Sequence, residues 1–185
     1  MSIINSNSSN FIFTFPKGFF NPTIEAKYLP YIKRQPDLIW DDVTGLMNSQ
    51  VQSISMPSLS MTPVEQVRKG GKMQSYKSAR PVPDYFSNEM TVTMRCLNGY
   101  INYWIFLENL LMHLDLVDED GLYFEDLYIR MLNQEGYIVQ TVRFQKPTIT
   151  NLSEISLSYS DNNPSFKTFD CTFRYNALEL IVEND

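Results

Sequence analysis

Cysteine, histidine and glycine are scarce in this 185-residue sequence, and each scarcity excludes a class of protein. The two cysteines, Cys96 and Cys171, lie far apart without a CxxC spacing, which argues against a disulfide framework and predicts reduced, buried thiols in a cytosolic protein. The single histidine, His113, has no recognisable serine or cysteine partner for nucleophilic catalysis. Seven glycines and an aromatic content of 14% are also unlike a collagenous or disordered chain.

Motifs for catalysis, targeting and membrane insertion are missing as well. The sequence contains no GxSxG, HExxH, P-loop or GxGxxG motif. Residues 1–10 lack the basic segment and long apolar core of a signal peptide, so we expect none. The apolar stretch 98–116 is interrupted by polar residues, among them Asn102, Glu108 and Asn109, which argues against a transmembrane helix. We therefore predict a non-enzymatic protein that uses no cofactor or metal and does not contact a membrane.

Positive charge is in deficit, with 15 Lys and Arg against 21 Asp and Glu and a net charge of −6. Residues 1–90 carry nine basic and seven acidic residues, or +2, and residues 91–185 carry six and fourteen, or −8. An acidic chain is poorly suited to gripping DNA, because that affinity requires several phosphate contacts by Lys and Arg. The charge does not exclude a protein past which DNA merely moves.

The sequence does contain many β-prone segments and one helical segment. Alternating apolar residues predict a strand at 86–96, and apolar residues at helical spacing predict a helix over 98–116. Turn residues predict two hairpins, one joining 126–132 to 137–144 and one joining 148–160 to 166–175. Further strands are predicted at 11–15, 51–56 and 58–67, with a short one near 73–76.

Four prolines interrupt residues 16–50, and no single regular element fits their spacing. We predict an extended, proline-rich arm there, followed by one or two helical turns over 41–47 with Asp41 or Asp42 as the cap. The predicted organisation is an N-terminal segment with this arm at 1–50, a β domain at 51–176 and a tail at 177–185.

The predicted helix is apolar over more than one face. One stripe at i, i+3, i+4 spacing runs from Tyr100 to Leu114, and Ile101 and Ile105 lie on a second flank. A helix that is apolar on two flanks needs two partners, so we predict that one flank packs on a sheet and the other against another subunit. The candidate residues for the core or for this subunit seam are Trp104, Ile105, Leu107 and Leu111.

The last predicted hairpin separates bulky side chains from small polar ones. In its first strand, bulky residues at 155, 157 and 159 alternate with mainly hydroxyl-bearing residues. In its second strand, Phe169, Cys171, Phe173 and Tyr175 alternate with Thr168, Asp170, Thr172 and Arg174. This pattern predicts one core face and one polar face. A hydroxyl-rich face suits a wet surface past which something moves, although the pattern alone favours an ordinary solvated sheet face.

Two charged segments allow several interpretations. Residues 66–83 carry five cations and no acidic residue, which is typical of a nucleic-acid contact, a solubilising loop, or a loop that pairs with the acidic segment 115–126 of a neighbouring copy. The acidic segment lacks the spacing of a calcium loop, and a solvated loop is favoured there. A small cytosolic enzyme that uses these carboxylates and a monomeric nucleic-acid binder that uses 68–80 remain the rival functions.

The order of these elements resembles the tail tube proteins of contractile-tailed bacteriophages. The run ITNLSEISLSYSDNN at 149–163, followed by 166–175, resembles the closing hairpin of that family. The run VQSISMPS at 51–58 resembles an early strand that a proline ends, and 86–96 followed by the helix with Trp104 resembles a strand-then-helix unit.

The resemblance covers roughly residues 51–175, and residues 16–50 depart from it. It implies a mainly β fold, a sandwich or partial barrel of two antiparallel sheets, flanked by one α-helix. It also implies a structural virion protein: six copies form a ring, and stacked rings form the inner tail tube that conducts DNA during ejection. Alternatives within this class are a baseplate or connector tube initiator and a tube protein of a type VI secretion system.

The resemblance also implies partners, locations and site residues. The partners are other copies of the chain, the tail sheath protein, baseplate proteins, the tape-measure protein and passing DNA; the locations are the virion tail and, during assembly, the host cytoplasm. Residues 66–83 occupy the position of a loop that reaches the next ring, so the inter-ring candidates are Arg68, Lys69, Lys72, Lys77 and Arg80. The lumen-lining candidates are Ser156, Ser158, Thr168, Asp170 and Thr172, although a register change of one residue would invert the faces.

Overall fold

The protein, represented by a computed structural model, is described for residues 10–34, 42–57, 64–67, 75–78, 88–115, 123–157 and 166–182. The helices in these ranges are α1 (Pro22–Lys33), α2 (Val43–Ser49) and α3 (Ile101–Asp115), with a short 3-10 turn at Asn98–Tyr100 before α3. The strands are β1 (Phe11–Thr14), β2 (Val51–Ser55), β3 (Val64–Val67), β4 (Ser75–Ser78), β5 (Glu89–Arg95), β6 (Leu127–Leu132), β7 (Ile138–Gln145), β8 (Thr148–Leu152), β9 (Thr168–Arg174) and β10 (Ala177–Val182).

The strands form two four-stranded sheets and a separate hairpin. Sheet A has the order β1-β6-β7-β10, sheet B has the order β2-β5-β9-β8, and β3 pairs with β4. Every pairing among the described strands is antiparallel. The predicted mainly β fold of two antiparallel sheets is confirmed, and so are the hairpins β6–β7 and β8–β9.

The β6–β7 hairpin is held by Asn133 and Gly136. The Asn133 side-chain oxygen accepts hydrogen bonds from the backbone N–H groups of Glu135 and Tyr137, each at 2.9 Å. Gly136 has a φ of 88°, a conformation that residues with a side chain rarely adopt. These two residues give the turn the geometry that the sequence predicts there.

Strand β8 is shorter than predicted and carries a bulge at Thr150. Ile149 pairs with Phe173, whereas Asn151 pairs with Thr172, so one extra residue interrupts the alternation. The strand ends at Leu152, after which the Ser153 hydroxyl accepts a hydrogen bond from the backbone N–H of Asp170. The predicted continuation to residue 160 is therefore wrong for 153–157. Leu157, predicted to face the core, is 70% exposed because the strand has ended before it; Tyr159 lies outside the described residues.

Residues 22–33 form helix α1, and the predicted extended arm is wrong there. Asn21 caps the helix: its side-chain oxygen accepts a hydrogen bond from the backbone N–H of Thr23. Pro22 lies in the first turn, where backbone N–H groups have no partner within the helix, so the N–H that proline lacks costs no hydrogen bond. Pro30 lies inside the helix, which continues to Lys33, and Ile24 and Ile32 are buried. The predicted turns over 41–47 are confirmed as α2, with the Asp42 carboxylate accepting the Gly45 N–H. Helix α1 is thus the one described helix that the sequence analysis did not predict.

One cluster of phenylalanine rings joins the N-terminal segment to helix α3 and both sheets. The ring of Phe15 lies 5.5 Å from that of Phe106 on α3 and 6.3 Å from that of Phe173 on β9. Phe19 and Phe20 pack on the same group and are at most 2% exposed. The hydrophobic core therefore takes residues from both sides of the boundary predicted at residue 50.

Helix α3 buries a flank that includes Ile105 and Phe106 and exposes part of the predicted apolar stripe. Ile105 and Phe106 are at most 1% exposed, whereas Trp104, Leu111 and Leu114 are half exposed. The predicted core or seam residues are therefore divided between two environments. None of the described helices combines the length and apolar character needed to cross a membrane.

Two buried asparagines on α3 bind backbone groups of neighbouring segments. The Asn109 side chain accepts the N–H of Asn21 at 2.8 Å and donates to the carbonyl oxygen of Phe19 at 3.0 Å. The Asn102 side chain accepts the N–H of Leu97 and donates to the carbonyl of Arg95. These residues interrupt the apolar stretch of the sequence because they satisfy backbone groups that the core would otherwise leave unpaired.

The chain passes from sheet A to sheet B at a corner held by Asp126. One of its carboxylate oxygens accepts the backbone N–H of Lys146, which has a φ of 49°, and the other accepts the Arg143 Nε at 2.7 Å. Partial burial opposes ionisation of Asp126, but these hydrogen bonds and the charge of Arg143 outweigh it and lower its pKa. Arg143 also donates to Glu179 on β10 at 3.2 Å, so the corner is connected to that edge strand.

We expect Phe106→Ala to lower the free energy of unfolding by about 3–5 kcal/mol, because it leaves a cavity in the ring cluster. Trp104→Ala, on the exposed side of the same helix, should lower it by only about 1 kcal/mol or less. Urea unfolding of both variants under dilute conditions provides the comparison. Equal losses would contradict this orientation of α3.

We expect Asp126→Asn to destabilise the protein by about 1 kcal/mol at neutral pH, where the native carboxylate is ionised. Because its pKa is lowered in the folded state, the stabilisation is present above its unfolded pKa and is lost as the pH falls through the folded pKa. The difference from wild type should therefore shrink below about pH 4. Denaturation midpoints between acidic and neutral pH measure this, with the exposed neighbour Glu125→Gln as the control. A difference independent of pH would contradict the assignment.

Candidate assembly surfaces

The outward face of sheet B is a ladder of hydroxyl groups. In the strand register, Thr91 of β5 lies opposite Thr172 of β9, and Thr93 lies opposite Asp170. The two threonine hydroxyls of the first pair are 3.2 Å apart, and the Thr93 hydroxyl donates to the Asp170 carboxylate at 2.7 Å. These bonds hold the side chains flat against the sheet and leave a polar surface of short side chains.

Charges on this face are balanced in β5 and β9. Glu89 and Asp170 are acidic, and Arg95 and Arg174 are basic, so the described strands contribute no net charge here. The guanidinium of Arg95 lies 3.5 Å from the ring centre of Phe166, an arrangement typical of a cation–π contact.

The structure brings together three of the five lumen-lining candidates. Thr168, Asp170 and Thr172 follow one another on the outward face of β9. Ser156 lies beyond the end of β8, where its carbonyl oxygen accepts the Lys167 ammonium at 2.8 Å. Ser158 lies outside the described residues.

The basic segment contains the β3–β4 hairpin. Strand β4 begins close to the short strand predicted near 73–76, and Lys77 lies opposite Glu65 in the backbone register. The other inter-ring candidates, Arg68, Lys69, Lys72 and Arg80, lie outside the described residues. Their role stays a prediction.

The acidic segment contributes only its ends to the described structure. Asp126 is engaged at the corner between the sheets, and residues 116–122 lie outside the described ranges. His113 stacks on Phe124, with ring centres 4.2 Å apart. Across the described residues, no group of three or more His, Cys, Asp or Glu side chains is arranged to hold a metal ion.

An apolar ridge runs along the exposed side of α3, formed by Trp104, Leu107, Leu111 and Leu114. Their spacing alternates between three and four residues, the repeat that presents one continuous seam to a neighbouring helix or sheet. The ridge is flanked by the ion pair between Glu108 and Lys27 of α1, at 2.6 Å. The hydrogen bond from Lys27 lowers the pKa of Glu108 and raises that of Lys27.

Strand β10 is exposed along its whole length although five of its six residues are apolar. Leu178, Leu180, Ile181 and Val182 are between 38% and 57% exposed. It pairs with β7 on one side, and no other described strand pairs with its outer edge. The sequence predicts only a tail at 177–185; the apolar run at 177–182, with its β propensity, is the signal that points to this strand.

A groove of about 970 Å³ opens between the outer strands β1 of sheet A and β2 of sheet B. Its walls are mainly apolar and include Phe11, Met131, Val51, Ile54 and Met56. None of the described residues that line it is ionisable. The groove is thus the open side of the hydrophobic core, and it lies between two sheet edges.

No protein-family model matches this sequence, and no curated protein matches it. Solved structures do match its fold. A chain in the cryo-EM structure of the anti-feeding prophage cap, the tube-terminating cap, has a TM-score of 0.55 at 11% identity, covering 99% of this chain and 95% of that one.

Two further structures match over nearly the whole chain. A chain of the anti-feeding prophage baseplate, 6-fold symmetrised, has a TM-score of 0.57 at 14% identity and covers 98% of both chains. A chain of the sheath–tube complex of the extracellular contractile injection system PVC, in its extended state, has a TM-score of 0.51 at 11% identity, covering 97% of this chain and 93% of that one. The chain therefore has the tail tube-like fold of contractile injection system proteins, as the resemblance in its sequence predicts.

Proposed function

We propose that this protein is a structural subunit of the inner tube of a contractile tail, in which hexameric rings stack into a conduit for DNA. The observation that carries the proposal is the combination of a tail tube-like fold with apolar surfaces at its sheet edges and along α3. Apolar surfaces of this extent on a folded chain are typical of protein interfaces. The role is assembly, without catalysis.

The sheets are suited to closing a ring. Sheets A and B each contain four strands in antiparallel order, so the two outer strands of each sheet run in opposite directions. A second copy placed side by side in the same orientation can therefore continue either sheet with antiparallel pairing. Closure around a ring would pair edges that a single copy leaves open.

The hydroxyl face of sheet B is the proposed lining of the lumen. Its central side chains are short and bonded to one another, as in the Thr93–Asp170 pair, and the charged residues of β5 and β9 on this face sum to zero. A surface without an excess of cations would not retain a polyanion by counterion release. Thr168, Asp170 and Thr172 on β9 are the proposed lining residues, with Ser156 and Ser158 beyond the end of β8.

The apolar ridge on α3 is the proposed seam with a neighbouring subunit or with the sheath. Trp104, Leu107 and Leu111 supply its contact area, while Ile105 belongs to the core. The loop 66–83 is proposed to reach the next ring through Arg68, Lys69, Lys72, Lys77 and Arg80. Baseplate proteins, the tape-measure protein and passing DNA complete the proposed partners, in the virion tail and in the host cytoplasm during assembly.

The second candidate is a protein that starts or ends the tube. Among the structures with this fold are chains from a baseplate and from a tube-terminating cap, which match this chain as well as the sheath–tube complex does. A protein of this kind would form one ring that binds a tube end. It would form no long polymer by itself.

We expect the purified wild-type protein to form rings and stacked tubes as its concentration rises, because each copy carries apolar surfaces on more than one side. Negative-stain electron microscopy and sedimentation velocity measure this, with and without pre-formed tail ends as seeds. Single rings that bind seeds without elongating would favour the second candidate. A monomer under every condition would refute both.

We expect the double change Lys69→Glu and Lys72→Glu to shorten or abolish tubes while rings persist, because the new carboxylates would repel the acidic segment 115–126 of the next ring, the predicted partner of this loop. Tube length in electron micrographs is the measurement. The matched control is Lys17→Glu with Lys33→Glu, which makes the same change in net charge at exposed positions outside the loop. Equal shortening by both pairs would assign the effect to net charge.

A further inference from the structure

We propose that β10 of one copy docks into the groove between β1 and β2 of a second copy, so that sheet A and the hydrophobic core continue from subunit to subunit. This inference rests on the proposed function in that it identifies the contact between neighbours within a ring. The proposed occupant of the groove is therefore β10 from another copy of this chain. The argument depends on the faces of β10, on the strand order and on charge.

The first surface is the inward face of β10. In the register of sheet A, Leu180 lies opposite Val142 and Leu178 opposite Phe144, both of which are buried core residues. Leu178 and Leu180 therefore point to the core side of the sheet, yet they are 43% and 53% exposed. On its core side, sheet A therefore extends past the hydrophobic core that the described residues of one copy form.

The second surface is the groove at the opposite side of the sandwich. Phe11 and Met131 line it from sheet A, and Val51 and Ile54 line it from sheet B. In their registers, Phe11 pairs with Met131, and Val51 and Ile54 lie opposite the buried Met94 and Val92. The groove is therefore walled by core-side residues of both sheets, and the other described residues of the same copy do not fill it.

The strand order allows these two surfaces to meet. Strands β1 and β10 are the two outer strands of sheet A, and they run in opposite directions because three antiparallel pairings separate them. When a second copy keeps the orientation of the first, its β1 lies antiparallel to β10. Strand β8 would then face β2 of the second copy in the same way, so both sheets continue across one contact.

Charge also favours this pairing. The described lining of the groove carries no ionisable residue, and Glu179 is the one ionisable residue of β10. Glu179 lies opposite Arg143 and accepts hydrogen bonds from Arg143 at 3.2 Å and Gln145 at 3.3 Å, on the outward face of the sheet. The inward face of β10 is thus free of charge where it would enter the groove.

The contact is head-to-tail, because β10 and the groove are different surfaces of each copy. Such a contact leaves one β10 and one groove open after every addition, and it closes only as a ring. The alternative, β10 against β10 of a second copy, would use one surface twice and would stop at a dimer. The two arrangements make different predictions for the same variants.

The test changes one surface at a time. Leu180→Glu places a charge on the inward face of β10, and Ile181→Glu, the control, places the same charge on the outward face of the same strand. We expect Leu180→Glu to raise the dissociation constant for self-association about 100-fold and to abolish rings. Ile181→Glu should assemble within a few-fold of wild type. Circular dichroism and thermal midpoints check that both variants fold, and Leu180→Ser serves as a milder second variant.

A mixing experiment identifies the second surface. Met56→Arg places a charge in the groove, where Met56 is 44% exposed, and should also yield monomers. When Met56→Arg is mixed with Leu180→Glu, the two should form a dimer with one copy of each. The first variant keeps an intact β10 and the second keeps an intact groove, so one contact between them is possible. Sedimentation velocity and native mass spectrometry measure this. A dimer of Met56→Arg with itself would overturn the proposal in favour of β10 against β10.

The outcomes separate this inference from the proposed function. If wild type forms rings and Leu180→Glu forms them equally well, the docking of β10 is wrong and the tube role stands. If neither variant nor wild type associates at any concentration, the tube role fails and the inference fails with it. If both glutamate variants lose assembly equally, the inward face of β10 is not the contact and the proposal is overturned.

Discussion

The cluster of phenylalanine rings around Phe19 and Phe106 is the interaction on which the rest of the architecture depends. It joins the segment after β1, helix α3 and strand β9 in one volume, and it draws the two sheets into a shared core. Edge-to-face contacts between rings add a preferred geometry to the burial of apolar area. Because α3 is oriented by Ile105 and Phe106, the position of Trp104 on the outside follows from the same cluster.

The protein distributes its side chains so that each surface has a distinct chemistry. The outward face of sheet B is polar and internally hydrogen bonded, the exposed side of α3 is apolar, and the sheet edges at β10 and at the groove are apolar and nearly free of charge. A monomeric protein would cover such edges with charges or loops. A hydrogen-bonded polar face combined with exposed apolar sheet edges suits the proposed subunit, which would bind its neighbours through the edges and leave the polar face in water.

Local patterns in the sequence predicted both hairpins and most of the described strands, but not β10. The alternation at 168–174 identified the buried face of β9 with Phe169, Cys171 and Phe173, and the Asn133 turn identified the β6–β7 hairpin. These features depend on neighbours in sequence, so a single chain shows them. The polar face of sheet B was predicted for the same reason.

Features that depend on distant contacts were not predictable in this way. Helix α1 contains Pro30, and its stabilisation by the burial of Ile24 and Ile32 depends on distant segments that local patterns do not reveal. Helix α3 is apolar on two flanks, so the spacing of its apolar residues does not show which flank is buried. In the structure, Phe106 faces the core and Trp104 faces the outside. Strand β8 ends at Leu152, where the Ser153 hydroxyl bonds to the Asp170 N–H of β9, and this early end leaves Leu157 exposed.

The exposed edge of β10 is also a surface on which copies of the chain could add without order. An apolar outer strand without a repelling charge is a template for indiscriminate strand addition, and its one carboxylate, on Glu179, is already engaged by Arg143. In the proposed assembly, ordered growth and amorphous precipitation would therefore compete for the same six residues. The outcome would be decided by kinetics, so the number of growth nuclei relative to free chains would set the yield of ordered polymer.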